Sequence, residues 1–170
     1  MDSENYYRIL KIIQDVGKNF ERMPSVYSDK QEEDLRDHIL MNLDPNFELG
    51  SASGETFNKT GRTDIQLRYQ SSVVFIAECK FWAGKKSLFK AIDQLLGYLT
   101  WRDSKTALIF FVRNKEISNL LQTIRNETQN HSNFIKVDSK TDVNWINYIF
   151  CLPNDTNKEI KIAIQIFHIP

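Results

Sequence analysis

The residues best suited to chemistry are Asp64 and the triplet Glu78-Cys79-Lys80, which ends an apolar run. Side chains alternate between the two faces of a strand, so Glu78 and Lys80 point the same way and Cys79 points the other way, toward the core. If the chain reverses between Asp64 and Glu78, two carboxylates lie beside one ammonium group. Carboxylates hold Mg²⁺ together with water and substrate phosphate. This set is therefore suited to hydrolysing a phosphodiester.

The elements around these residues decide between that chemistry and a simpler explanation. A strand that ends in a Glu–Lys pair can merely be emerging into solvent, where such a pair contributes less than about 1 kcal/mol. However, residues 73–77 are so apolar that charges directly after them need partners. Segments 64–69 and 73–81 read as a hairpin joined by residues 70–72. Such a hairpin sets Asp64 and Glu78 at the same end of a sheet.

The helix expected before the hairpin offers another acid. It starts at Ser28-Asp29, and residues 44–46 stop it. The spacing of its apolar residues centres the buried face near Glu32, with Glu33 toward the edge of that face. A glutamate near a helix start is often a capping-box residue. Alternatively, it approaches a metal ion from above the sheet.

The helix expected after the hairpin runs from about Ser87 to Trp101. Gln94 and Tyr98 are four residues apart and share one face of it, with Lys90 a turn earlier. An amide and a phenol there can hydrogen-bond a metal-bound water or a phosphate oxygen. The polar edge of an amphipathic helix is the simpler alternative.

Composition allows one domain with a sizeable core, since the chain has 170 residues of which 41% are hydrophobic. The 22 basic and 22 acidic residues balance, so overall charge indicates no partner. Basic residues dominate locally between 59 and 90, where Asp64 and Glu78 are the only acids. A positive field there suits a polyanion, although a solvated rim is the alternative. The basic residues are Lys59, Arg62, Arg68, Lys80, Lys85, Lys86 and Lys90.

Several classes of protein are excluded. Two cysteines, Cys79 and Cys151, make neither a disulfide framework nor a zinc site, and the three histidines have no ligand spacing. No segment has the pattern of a signal peptide, and no apolar run approaches membrane-spanning length. We therefore expect a cytoplasmic protein with no membrane partner.

The remaining pattern predicts an α/β fold with a mixed β-sheet flanked by helices. Residues 3–22 are expected to form a first helix or a connector to a larger protein, which divides the chain into 1–22 and a domain of 23–170. Residues 49–63 read as a loop or an irregular edge strand. Further elements are a buried strand at 106–112, a helix at 116–128, and strands near 144–151 and 159–168.

In order, Asp64, Glu78-x-Lys80 and Gln94-x-x-x-Tyr98, with an acid on the preceding helix, resemble the PD-(D/E)XK nuclease superfamily, which has the restriction-endonuclease-like fold. The chain departs from the superfamily name at Thr63, where proline is expected. The resemblance covers nearly all of 23–170. The stretches similar to one bacterial branch are EEDLRDHIL, GETFNKTGRTDI, FIAECKFWAGKK, QLLGYLTWRDSK and IFHIP.

The resemblance implies a metal-dependent phosphodiesterase in which Asp64 and Glu78 bind Mg²⁺ or Mn²⁺. A further acid, Glu32 or Glu33 from the helix or Glu55 from the loop, would complete the metal site. The single ExK triplet is weak evidence, because it occurs by chance. The ordered combination is much more specific.

The remaining roles follow from the same resemblance. Lys80 would orient or activate the attacking water and stabilise the developing charge, and Gln94 would position that water. Tyr98, Lys85, Lys86 and Lys90 would bind substrate. No separate reader of base sequence is present in the sequence pattern, so we expect cutting with weak sequence preference. The resemblance implies DNA rather than RNA as the substrate.

The resemblance to one bacterial branch of the superfamily implies an effector module in bacterial antiviral defence. Such a nuclease needs restraint, so we expect a homodimer, a regulatory domain or a regulatory partner. The alternatives are a catalytically inactive nucleic-acid-binding module of the same fold and a protein-interaction domain.

Overall fold

The computed structural model describes residues 1–43, 64–69 and 72–170, except for the side chains of Asp64, Arg68 and Tyr69. The predictions for the stop after the second helix, for the 49–63 loop with Glu55, and for most of the 70–72 connection lie outside these residues.

The described residues form five helices and six strands. The helices are α1 (Ser3–Arg22), α2 (Pro24–Tyr27), α3 (Glu32–Leu43), α4 (Lys85–Tyr98) and α5 (Ile117–Thr128). The strands are β1 (Asp64–Tyr69), β2 (Ser72–Phe81), β3 (Lys105–Val112), β4 (Phe134–Asp142), β5 (Trp145–Leu152) and β6 (Asp155–His168).

All six strands join one mixed sheet in the order β1-β2-β3-β6-β5-β4. The central strands β2, β3 and β6 are parallel to one another, and the remaining neighbours are antiparallel. The prediction of an α/β fold with a mixed sheet flanked by helices is confirmed. The predicted hairpin is confirmed too, as β1 and β2.

Each face of the sheet is covered by its own helices. Helices α1 and α3 pack on one face together with Phe75, Ala77 and Cys79 of β2. Helices α4 and α5 pack on the other face, to which β2 contributes Ile76. Because side chains alternate along a strand, Glu78 belongs to the α4 face. Cys79 is fully buried on the opposite face, as predicted.

Helix α1 is an integral part of the core. Ile9 and Phe20 are fully buried, and the Tyr6 hydroxyl donates a hydrogen bond of 2.7 Å to the carbonyl of Thr106 at the start of β3. At Gly17 the helix lies so close to β6 that a Cβ atom would come within 2.2 Å of the Phe167 ring. The segment 1–22 is therefore a packed first helix, whereas a domain boundary after residue 22 stays a prediction.

Three expected helix boundaries were wrong, and strand β6 begins at Asp155, four residues before its expected start. The second helix does not start at Ser28-Asp29, because the preceding proline opens the short helix α2 and those two residues form the turn after it. Helix α4 begins two residues before the expected start, directly after Gly84, whose φ of 96° suits glycine. It ends at Tyr98, so that Trp101 belongs to a turn.

Strand β4 was missed because its composition is polar. Most of its side chains are exposed, as expected of an edge strand that is covered on neither face. No helix in the described part of the chain is both long and apolar enough to span a bilayer.

Candidate active site

Glu78 and Lys80 form an ion pair at the C-terminal end of β2. The Glu78 side chain is fully buried, and its Oε1 lies 3.1 Å from Lys80 Nζ. The two residues are opposite Leu108 and Phe110 of the apolar strand β3. A carboxylate in such surroundings needs a cation nearby, because a buried charge without one is costly.

The hairpin places Asp64 at the same level of the sheet. The Cα atoms of Asp64 and Glu78 are direct partners in the antiparallel β1–β2 ladder. The predicted juxtaposition of these two acids is therefore present in the backbone, while the Asp64 side chain lies outside the described part of the structure.

Glu32, the first residue of α3, reaches the same strand end. Its Oε2 accepts a hydrogen bond of 2.8 Å from the Phe81 N–H, and its Oε1 lies 4.0 Å from Lys80 Nζ. The next N–H, that of Trp82, donates to Phe111 of β3. Since successive N–H groups of a strand point to opposite sides, the Phe81 N–H points toward β1, where Glu32 accepts it.

Glu32 and Glu33 have different surroundings, although both lie in the first turn of α3. Glu33 is exposed. The capping interaction belongs to Asp34, whose Oδ2 accepts a hydrogen bond of 2.9 Å from the Gln31 N–H. Glu32 is therefore not the capping-box residue that its position suggested, and it binds the strand instead. Of the two glutamates, Glu32 is the one beside Lys80.

The electrostatics of Lys80 combine two opposing effects. Burial lowers the pKa of Lys80. The hydrogen bond to Glu78 and the charges of Glu78, Glu32 and Tyr98 outweigh burial, and together they raise the pKa above its ordinary value. Lys80 is thus an ammonium ion at neutral pH.

The predicted polar residues of α4 divide into two groups. Gln94 Nε2 donates a hydrogen bond of 2.8 Å to Tyr98 Oη, and Tyr98 is close enough to influence the pKa of Lys80. These two residues therefore face the site. Lys85 instead pairs with Glu127 of α5 at 3.0 Å. Lys86 and Lys90 are exposed.

Arg113 is a residue that sequence reasoning missed. Its guanidinium lies 4.7 Å from the centre of the Phe81 ring, and its Nη2 donates 2.5 Å to the carbonyl of Lys30. Nη1 also donates to the carbonyls of Ser28 and Ile169. Arg113 thereby fastens the turn before α3 to the strand end that Glu32 contacts. The sequence contains one indication of its role, because the charged Arg113 directly follows the buried strand β3, as charged residues follow the apolar part of β2.

The donor set suits a hard divalent cation. Among the side chains that are described, no three His, Cys, Asp or Glu residues are grouped closely enough to hold a metal ion. Two carboxylates, those of Glu32 and Glu78, lie within 4.0 Å of Lys80 Nζ, and Asp64 is opposite Glu78 in the ladder. Carboxylate oxygens are ligands that Mg²⁺ and Mn²⁺ accept.

Two strands and one helix, β1, β2 and α3, thus contribute acids at the end of the sheet that holds Lys80, and α4 adds an amide and a phenol. No protein-family model matches the sequence, and no curated protein or solved structure is significantly similar to the chain.

Proposed function

We propose that the protein is a divalent-metal-dependent nuclease with the restriction-endonuclease-like fold of the PD-(D/E)XK superfamily. The observation that carries the proposal is the position of Lys80, whose Nζ lies 3.1 Å from Glu78 and 4.0 Å from Glu32, at the strand end where Asp64 is the register partner of Glu78. Two carboxylates thus lie within 4.0 Å of one ammonium group.

Asp64, Glu78 and Glu32 would hold Mg²⁺ or Mn²⁺. When bound, such an ion polarises a phosphate and lowers the pKa of a coordinated water. Glu33 is on the exposed side of the helix, which favours Glu32 as the third ligand. Glu32 is also held in place by the Phe81 N–H, so the site is partly preorganised.

Lys80 supplies a fixed positive charge where negative charge grows on the phosphate, which is commonly the largest contribution to such catalysis. Glu78 orients the ammonium group through their 3.1 Å contact. Gln94 is oriented by its hydrogen bond to Tyr98, and its amide is suited to positioning the attacking water or a phosphate oxygen.

The substrate we propose is DNA in preference to RNA, cut with weak sequence specificity. We further propose that the protein is a cytoplasmic effector of bacterial antiviral defence and that a homodimer, a regulatory domain or a partner restrains it. These parts of the proposal rest on the sequence resemblance.

The test is cleavage of plasmid DNA and of a structured RNA, each with Mg²⁺, Mn²⁺ or EDTA. Asp64→Ala and Lys80→Ala are compared with Lys140→Ala, a matched lysine variant on the exposed edge strand β4. We expect metal-dependent cleavage by the wild type and by Lys140→Ala, and loss of cleavage in the two site variants.

Cleavage that persists in both site variants would refute the assignment of the site. Binding of nucleic acid without cleavage in any metal would favour the inactive nucleic-acid-binding module, and absence of both would favour a protein-interaction domain.

A further inference from the structure

Helix α4 has a face that neither the core nor the candidate site uses. At 100° per residue, Lys86, Lys90 and Gly97 fall within an arc of about 40°. All three are exposed. The buried stripe of α4, which includes Leu88, lies on the opposite side of the helix. Gln94, beside the candidate site, lies next to the arc on one flank.

Gly97 is the unusual member of this face. A Cβ atom at Gly97 would meet no atom of the described structure within 4 Å, and its φ is not positive. Neither packing nor backbone conformation within the described residues therefore requires glycine, although glycine is among the poorest helix formers. A helix surface without a side chain permits close approach of another molecule.

The turn after α4 presents an aromatic ring close to the C-terminal end of this helix. Trp101 is 64% exposed, and the Arg102 guanidinium lies over its ring, 4.1 Å from the centroid. The turn is braced, since Asp103 Oδ2 accepts a 2.7 Å hydrogen bond from the Thr100 N–H. Trp101 is thus presented by an ordered turn, with a cation on one of its faces.

The charges along this surface are complementary to a polyanion. Lys86, Lys90 and Arg102 are basic and exposed. The nearby acid Asp93 is directed to His131, with 2.7 Å between Oδ1 and Nε2. The second acid, Asp103, is engaged in its own turn.

We propose that Lys86, Lys90, Gly97, Trp101 and Arg102 form a track for single-stranded nucleic acid. The lysines would contact phosphates, the backbone of the strand would approach α4 at Gly97, and a base would stack on Trp101. Base faces are accessible in a single strand and covered in a duplex, so an exposed aromatic platform favours the single strand. The helical part of the track, from Lys86 to Gly97, is about 16 Å long, given a rise of 1.5 Å per residue.

The track deepens the proposed nuclease function and rests on it. A strand lying along this face passes Gln94 and Tyr98, the α4 residues on the side of Lys80. The track would therefore deliver an unpaired strand to the site.

The test is fluorescence anisotropy with labelled oligothymidine and with a duplex of equal length, measured in EDTA so that binding is separated from cleavage. We expect tighter binding of the single strand. Trp101→Ala should weaken that binding about tenfold, the scale of one stacked base, whereas Trp101→Phe retains most of it. Lys140→Ala, on the far edge of the sheet, is the control. Equal affinity of Trp101→Ala and wild type would overturn the track.

Gly97→Ala provides a second test with opposite signs. Alanine is the better helix former, so the melting temperature should rise by about 2 to 4 °C. The added methyl group should nevertheless weaken binding of the single strand several-fold. A higher melting temperature with unchanged affinity would overturn close approach at Gly97.

Failure of the track is distinguishable from failure of the nuclease proposal. If the wild type cleaves plasmid in Mg²⁺ but Trp101→Ala binds the single strand as tightly as the wild type, only the track is refuted. Track-dependent binding with no cleavage in any metal removes the nuclease function and retains the track.

Discussion

Two buried polar clusters tie a helix to the sheet, and they are built differently. The carboxylate–lysine cluster consists of Glu32, Glu78 and Lys80. The amide cluster consists of Gln14 of α1, Gln165 of β6 and Asn144, which precedes β5.

Neutral groups bond one another in the amide cluster, although Gln165 Oε1 has no hydrogen-bond partner among the described residues. Gln14 and Asn144 exchange hydrogen bonds of 2.8 and 3.1 Å. Gln165, which is fully buried, donates 2.9 Å to the carbonyl of Leu10 in α1. Such a network positions a helix without burying net charge.

The carboxylate–lysine cluster is built from ions instead, because two carboxylates lie within 4.0 Å of one ammonium group. Such ionic groups are suited to binding a cation, whereas neutral amides suffice for a purely structural contact. The chain thus uses amides where a helix only has to be positioned, and ions where we propose chemistry. Variants of the two clusters should therefore separate activity from stability.

The largest effect is expected from Lys80→Met. Loss of the fixed charge should lower the cleavage rate by about 10² to 10³. It also leaves the buried carboxylate of Glu78 without its 3.1 Å cation, which should lower the free energy of unfolding by about 2 to 3 kcal/mol. Urea denaturation and plasmid cleavage measure the two effects.

The double variant Glu78→Gln/Lys80→Met serves as the control for this first prediction. It should recover much of the lost stability, because no buried carboxylate then remains at position 78, and it should stay inactive. If the loss of stability in the double variant equals the sum of the losses in Glu78→Gln and Lys80→Met, the two residues are not coupled.

Gln165→Leu should lower stability without lowering activity. It removes the donor to the Leu10 carbonyl, so the free energy of unfolding should fall by about 1 to 2 kcal/mol. Cleavage per folded molecule should not change. The matched control is Gln122→Leu, the same substitution at an exposed position of α5. A loss of activity at constant folded fraction would show that the amide cluster is not merely structural.

Arg113→Ala should raise the Mg²⁺ concentration needed for cleavage more than it lowers stability. The turn before α3 loses its anchor, so Glu32 is held less firmly beside Lys80. The Mg²⁺ concentration for half-maximal cleavage should rise about tenfold, as expected when support of a metal ligand is removed. Arg125→Ala, which removes a guanidinium that contacts Val143 away from the site, is the control. An unchanged Mg²⁺ dependence would exclude this positioning role.

The smallest effect is expected from Asp142→Asn, beside the amide cluster. The hydrogen bond from Lys18, at 3.0 Å, holds the pKa of Asp142 below its ordinary value. A depressed carboxyl pKa contributes stability above the unfolded pKa, and this is lost as the pH falls through the folded pKa. The pair is exposed and screened, so the variant should be less stable by about 0.5 kcal/mol at pH 7.

Thermal unfolding at a series of pH values checks this last prediction. The difference between Asp142→Asn and the wild type should vanish in acid, once the wild-type carboxyl is protonated. A difference that persists at low pH would mean that the pair is not its cause.

The parts of the fold with strong apolar periodicity could be predicted from the sequence. The β1–β2 hairpin and the buried strand β3 follow from alternation and from a short connection. The register that sets Asp64 opposite Glu78 does not, because it depends on an irregularity of the ladder between Leu67 and Arg68. Strand β4 could not be found this way, because an edge strand such as residues 134–142 buries little and keeps charges on both sides.

The candidate site was predictable where it depends on one strand and not where it depends on packing. Alternation alone puts Glu78 and Lys80 together. The choice of Glu32 over Glu33 depends on where α3 begins, which the capping by Asp34 decides. Arg113 acts through backbone carbonyls that are about 80 residues away in sequence, and no local pattern contains such contacts.

The close contact of Gly17 with Phe167 has a consequence for biosynthesis. Helix α1 is made before the strands of this sheet, yet it packs on β6, which is made after the other five strands and inserts between β3 and β5 in the middle of the sheet. A nascent chain that already contains Asp64, Glu78 and Lys80 therefore still lacks the central strand on which α1 packs. The topology delays completion of the sheet around the proposed site until translation has reached β6.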